Sequence, residues 1–107
     1  MYKNGVIVLV PFPFTDLTGS KIRPAVIISQ NLPGDDVVVV FITSKSGAGK
    51  FDVKIKASER NGLKINSFIK CSKMATLDKK IVLGELGIIE SGQMKNIKKA
   101  LKSIFGL

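Results

Sequence analysis

Residues Ile7 to Ser29 read IVLVPFPFTDLTGSKIRPAVIIS, and this stretch decides the fold. Two apolar runs, Ile7–Val10 and Ala25–Ile28, flank a polar link containing Thr15, Asp16, Thr18, Gly19 and Ser20. Short β-branched runs bounded by Asp, Gly and Ser read as the two strands of a hairpin. Pro11, Pro13 and Pro24 remove backbone donors, which keeps those positions out of a fully paired strand centre. The expected link therefore runs from Phe12 to Lys21, long for a hairpin, and should project as a mobile flap. Arg23 stands at its C-terminal foot, just before Pro24 and a buried-looking strand. Loops carried on rigid sheets are where function is usually placed.

Working outward, the first strand is expected over Val6–Val10, reaching at most Pro11, and the second over Arg23–Ser29. A Pro33-Gly34 turn leads to a third strand, Val37–Ile42, whose continuous apolar run suits a strand covered on both faces. A small-residue loop from Thr43 to Gly49 follows. FDVKIK (Phe51–Lys56) alternates and reads as a half-exposed strand. SERNG (Ser58–Gly62) is a turn, with Asn-Gly the hairpin signal. Ser67–Cys71 and Met74–Leu77 read as two short strands separated by a kink or bulge near Ser72-Lys73. Ile81–Ile89 holds another extended piece. Met94, Ile97, Ala100, Leu101, Ile104 and Phe105 recur at helical spacing, with Ser91 as N-cap, Glu90 at the positive end of the dipole and Gly106 as the stop. The fold class is mainly β: a small antiparallel barrel or curled sheet closed by a C-terminal α-helix, one domain over residues 1–107.

The charge balance narrows the partners. Seventeen Lys and Arg stand against eight Asp and Glu, a net charge of +9. Such an excess attracts polyanions, either nucleic acid or an acidic protein. The competing reading is that the lysines only decorate solvated faces. Cys71 is the single cysteine, so no intrachain disulfide forms. The first residues lead straight into a strand with no signal-peptide core, and no apolar run approaches the roughly 18 residues of a membrane span. A cytoplasmic, membrane-free protein is the expectation.

Much chemistry is excluded by composition. The chain has no histidine, the default general base and metal ligand. Cys71 alone cannot build a zinc site or be activated as a nucleophile, so no metal and no cofactor are expected. Gly47-Ala48-Gly49-Lys50 lacks full phosphate-loop spacing and runs into a strand. Asp35 and Asp36 are adjacent and would point to opposite faces of a strand. Arg, Lys, Thr and Ser remain, groups that suit a phosphate. RNA supplies its own nucleophile, the 2′-OH. Cleavage by transfer to that hydroxyl needs positioning and charge stabilisation, and neither a metal nor a protein nucleophile.

At these residues the sequence resembles the MazF/PemK family of toxins from bacterial toxin–antitoxin pairs. The resemblance is carried by VLVPFPFTDLTGSKIRPAVIIS (Val8–Ser29), then FITS (Phe41–Ser44), then IKCSKMATLDK (Ile69–Lys79). It implies an SH3-like β-barrel with a C-terminal helix, usually a homodimer, acting as a sequence-specific endoribonuclease on single-stranded RNA without metal. It also implies a cognate antitoxin that blocks the site with an acidic, partly disordered segment. Arg23 falls on the family's Arg-Pro position and would hold the scissile phosphate. Thr43 matches the Thr after the third strand and would hydrogen-bond the phosphate or the 2′-OH, with Ser44 beside it. The structural alternatives are an ion pair or cap for Arg23 and a strand-end hydroxyl for Thr43.

The sequence also departs from the family. Gly5 is followed by Val6 where many relatives have Asp. Positions that carry Arg and Asp in some members are Lys70 and Ser72 here, and no His is available. RNA-binding candidates are Phe14, Lys21, Lys45, Lys50, Lys54, Lys70, Ser72 and Lys73, with Phe12 and Phe14 able to stack on bases. Each lysine alone also reads as a solvated charge, and the two Phe as pins for the loop. Two rival functions stay open: a non-enzymatic toxin like the gyrase-binding CcdB toxins, and a basic SH3-like module that only binds RNA or acidic protein.

Overall fold

The computed structural model describes residues 2–13, 20–29, 32–44 and 49–107, with residues 12, 13 and 20 described in backbone only. Six strands form one antiparallel sheet: β1 (Val6–Pro13), β2 (Ser20–Ile27), β3 (Asp36–Thr43), β4 (Asp52–Ile55), β5 (Ser67–Asp78) and β6 (Gly84–Ile88). A short 3-10 turn, Lys79–Ile81, separates β5 from β6, and helix α1 (Gln93–Phe105) closes the chain. The strand order is β4-β5-β3-β2-β1-β6. The mainly β fold with a C-terminal helix is as expected.

The opening stretch is a hairpin, and it pairs further than the prolines suggested. β1 and β2 are in register from Ile7↔Val26 to Pro13↔Ser20. The expected flap from Phe12 to Lys21 is therefore cut back, because residues 12, 13, 20 and 21 belong to the strands. The tip, residues 14–19, lies outside the described residues. The prolines are tolerated for a positional reason. β6 pairs β1 only over Val6–Leu9, and β3 pairs β2 only over Ala25–Ile27. Pro11, Pro13 and Pro24 lie beyond these limits, where one strand side is an edge. Ser29, expected inside the second strand, instead accepts from Val38 N–H through its hydroxyl at 3.0 Å.

Strands that read as continuous apolar runs are buried on both faces. On one face Ile7, Val26, Val40, Ile42, Ile55, Ile69 and Cys71 pack with Ile97 of α1. On the other, Val8, Val10, Ala25, Ile27, Val37, Val39 and Phe41 form a second cluster. The two segments expected at Ser67–Cys71 and Met74–Leu77 are one strand with a bulge where the kink was placed. Val40 pairs Met74 but Phe41 pairs Lys70, so Cys71, Ser72 and Lys73 have no partner on β3. Added residues on one strand bend it and sharpen the sheet's twist.

The sheet curls into a half-barrel, and its open side between β4 and β6 is bridged by the turn after β4. Ile88 N–H donates to Arg60 O at 2.9 Å. The Asn-Gly pair at 61–62 is thus no tight hairpin; β4 and β5 still pair, from Ile55↔Ser67 back to Asp52↔Lys70. Instead Asn61 is fully buried. Gly92 is the N-cap of α1 and makes no side-chain cap, so Ser91 is not the N-cap. Glu90 turns away from the helix to take hydrogen bonds from Ser58 and Asn61. Gly106 ends the helix at φ 69, as expected, donating to Lys102 O and Ser103 O. Met94, Ala100, Leu101 and Ile104 pack on the core around Ile97, whereas Phe105, expected on that face, is 58% exposed.

Candidate functional site

Directly opposed residues of an antiparallel pair put their side chains on the same face. β2 and β3 pair at Ala25↔Phe41, the last register point toward the hairpin tip. Arg23 and Thr43 each lie two residues beyond that last pair, at positions of the same facing. Arg23 is itself paired with Val10 on β1, and Thr43 with Phe68 on β5. Phe68 in turn opposes Lys54 on β4. On this face Val10 pairs Arg23 across β1 and β2, and Thr43, Phe68 and Lys54 form a row across β3, β5 and β4. The neighbouring row reads Ala25, Phe41, Lys70, Asp52. Arg23 and Thr43 are half-buried, and Lys54 is exposed.

The local chemistry of each strand explains this gathering. The face that holds the second apolar cluster runs out of apolar residues past Ala25 and Phe41. The next positions of the same parity are Arg23 and Thr43, so a polar surface continues an apolar one. Lys21, two residues beyond Arg23, opposes Phe12 and is exposed. FDVKIK alternates so that Asp52 and Lys54 share this face while Val53 and Ile55 pack with the helix-side core.

Asp52 and Phe68 were missed by sequence reasoning. The Asp52 side chain is only 2% exposed, and its Oδ2 takes the Lys70 ammonium at 3.2 Å and the Gly49 N–H at 2.8 Å. Lys70 is therefore an ion-paired lysine that keeps 27% of its side chain exposed. The alternation of FDVKIK carried a signal: a strand with one apolar face leaves its Asp and Lys together on the other.

The remaining candidates are spread around this surface. Ser44 is exposed just past the end of β3, and Ser72 and Lys73 are exposed in the β5 bulge. Lys50 sits on the turn into β4, its ammonium 5.5 Å from the centre of the Phe51 ring. Phe14 and Lys45 lie outside the described residues. The face thus brings together Arg23, Thr43, Lys21, Lys54 and Lys70; Ser44, Ser72 and Lys73 stand off the two rows.

The chemistry of such a surface suits an anion. Cations beside a hydroxyl stabilise negative charge, and a half-buried setting strengthens them over free solvent. Cys71 adds no nucleophile. It is buried on the helix side, and burial, followed by the charge of Asp52, pushes its thiol up to about 11. At neutral pH it is a protonated, inert thiol. Among the described residues no three His, Cys, Asp or Glu gather as metal ligands, and no helix is long and apolar enough to cross a membrane.

Solved structures share the whole architecture. An endoribonuclease in complex with its cognate antitoxin, from a mycobacterial species, is 23% identical with a TM-score of 0.78, covering 100% of this chain and 97% of that one. MazF from Deinococcus radiodurans is 18% identical with a TM-score of 0.81, covering 99% and 97%. Mycobacterium tuberculosis toxin MazF-mt6 is 21% identical with a TM-score of 0.76, covering 95% and 97%. No curated protein sequence matches the chain. At these identities the likeness is one of fold. The family model of the PemK-like, MazF-like toxins of type II toxin–antitoxin systems matches residues 3–105, which takes in the hairpin, the bulged strand and the helix alike. By that match the chain belongs to the PemK-like, MazF-like toxin family.

Proposed function

We propose that this toxin is an endoribonuclease that cleaves single-stranded RNA, mRNA above all, by transfer to the RNA's own 2′-OH and without metal. The carrying observation is that Arg23 and Thr43 share one face of the sheet, each two residues beyond the last β2–β3 pair, Ala25↔Phe41. The 2′-oxygen attacks the adjacent phosphorus, the bond to the 5′-oxygen breaks, and a 2′,3′-cyclic phosphate and a 5′-OH result. One proton leaves the 2′-OH and one reaches the departing 5′-oxygen. Arg23 holds the non-bridging oxygens, where charge builds in the transition state. Thr43 hydrogen-bonds the phosphate or the 2′-OH and fixes its line of attack. Ser44 lies beside this pair. Lys21, Lys54 and Lys70 track the RNA backbone, with Lys45, Lys50, Ser72 and Lys73 along its path, and Phe14 and Phe68 offer rings to bases.

The family membership and the endoribonucleases among the structural neighbours support this reading. So does the +9 charge, which suits RNA and an acidic antitoxin segment equally. Neighbouring toxins are held with antitoxins in the mycobacterial and Deinococcus complexes. We place this chain in the cytoplasm as a homodimer with an acidic antitoxin of its own.

The test incubates purified protein with a long single-stranded RNA in EDTA, beside Arg23→Ala and Thr43→Ala. Cleavage at discrete sites is expected, falling about 100-fold or more in each variant. Intact RNA with inhibited gyrase replaces this reading with that of a gyrase-binding toxin. RNA binding with neither activity leaves a binding module.

A further inference from the structure

We propose that Asp52 is a positioning residue for the chemistry just described: it anchors the Lys70 ammonium on the face that carries Thr43 so that Lys70 meets the RNA phosphate in one orientation. This rests on the ribonuclease reading. The argument begins with an apparent contradiction. A carboxylate on an anion-binding face repels the ligand, yet Asp52 stands in the row next to Arg23 and Thr43. Its depth resolves this. The Asp52 side chain is 2% exposed and the Lys70 side chain 27% exposed, so the pair presents its cation to solvent and keeps its anion beneath.

The anchor itself is fixed. Gly49, Lys50, Phe51 and Asp52 form a turn in which Asp52 N–H donates to Gly49 O at 3.2 Å. Gly49 N–H returns a bond to Asp52 Oδ2 at 2.8 Å. The same Oδ2 receives Lys70 Nζ at 3.2 Å. A lysine is otherwise a point charge on a flexible stem, and its freedom is lost on engaging a phosphate. Here part of that loss is taken on folding. Thr43 pairs Phe68, two residues before Lys70 on β5, so Thr43 and Lys70 are diagonal neighbours on one face. The ammonium is thereby held on the β4 side of Lys70, across β5 from Thr43, on the face that carries both. With Ser72 in place of a carboxylate, this buried Asp is an acidic group built into the face, and it acts through Lys70.

The experiment compares wild type, Asp52→Asn, Lys70→Met and the double variant. Single-turnover cleavage of a long single-stranded RNA in EDTA is measured beside filter-binding affinity for the same RNA. Asp52→Asn should slow cleavage about tenfold while affinity stays equal or tightens, since alignment is lost and a negative charge is removed. Lys70→Met should weaken both. The double variant should cleave as Lys70→Met does, because Asp52 has nothing left to position. Wild-type speed in Asp52→Asn, or losses that multiply in the double variant, overturns the proposal. So does a loss that follows the unfolded fraction in a thermal melt. Wild-type protein that leaves RNA intact overturns the ribonuclease reading, and this inference with it.

Discussion

Asn61 Nδ2 donates to Glu90 Oε1 at 2.9 Å, tying the turn after β4 to the segment that leads from β6 into α1. The same amide donates to Lys56 O at 2.7 Å, and Asn61 Oδ1 accepts from Ser58 N–H and Leu63 N–H, each at 3.0 Å. Arg60 Nε adds a bond to Ile89 O at 3.1 Å. This side-chain network completes the half-barrel where strand pairing stops.

Asn61→Ala should therefore cost about 3 kcal/mol, since it leaves several buried partners unsatisfied at once. Urea unfolding should show a lowered midpoint with an unchanged slope. Equal stability would mean that water replaces the amide.

Two glycines in this clasp should resist any side chain. Gly62 has φ 73, and a Cβ there would strike the Leu86 backbone. A Cβ on Gly87 would strike the backbone of Arg60 and Asn61. Alanine at either should destabilise by more than about 2 kcal/mol. Gly84→Ala, with nothing within 4 Å of its Cβ, should be neutral or stabilising by about 0.5 kcal/mol. Thermal melts of the three variants rank them.

Glu90 makes the clasp acid-sensitive. Burial pushes its carboxyl up, but hydrogen bonds from Ser58, Asn61 and its own backbone, with the charge of Arg60, outweigh this and hold it below its ordinary 4.5. A carboxylate depressed in the folded state adds stability above its unfolded pKa and loses it as pH falls through the folded value. Tm should fall as pH drops below 4.5, and Glu90→Gln should flatten that fall.

Cys71 sets the opposite limit. Its pKa rises from 9.0 to about 11 on folding, so the unfolded chain releases this proton first. Its contribution to stability is complete below pH 9 and declines as pH climbs toward 11. Cys71→Ser should lessen that alkaline decline. In the native wild type, a thiol reagent at neutral pH should react far more slowly than after denaturation.

α1 is held by one deep residue. Ile97 is 0% exposed, and Ile97→Ala should cost about 3 kcal/mol. Phe105→Ala, at a position 58% exposed, should cost less than about 1 kcal/mol. Denaturant titration of both distinguishes the buried face from the exposed end.

What was legible in the sequence was local. Ile7–Val10, Ala25–Ile28 and Val37–Ile42 announced strands because their apolar runs match burial on both faces. Ser72-Lys73 announced a break because polar residues interrupt an apolar strand. The helix followed from spacing around Ile97. What depended on distant neighbours was not legible. Prolines 11, 13 and 24 fit within strands only because β6 and β3 stop short of them. Asn61 looked like a hairpin residue, and its burial is created by Glu90, 29 residues further along. At the candidate site, Arg23 and Thr43 were named from the sequence, but that they share a face depends on the β2–β3 register. Asp52 was hidden because one Asp in an alternating strand is unremarkable until Lys70 is placed beside it.

The sheet order has a consequence for synthesis. β1 is the first strand made, and its partner on one side, β6, is the last: Val6 pairs Ile88. Until the ribosome has passed that point, the apolar edge Val6–Leu9 has no strand to cover it. A chain stalled or truncated before β6 carries an open, β-branched edge, the kind that recruits other chains. Incomplete copies of this toxin should therefore aggregate and be cleared before they can fold.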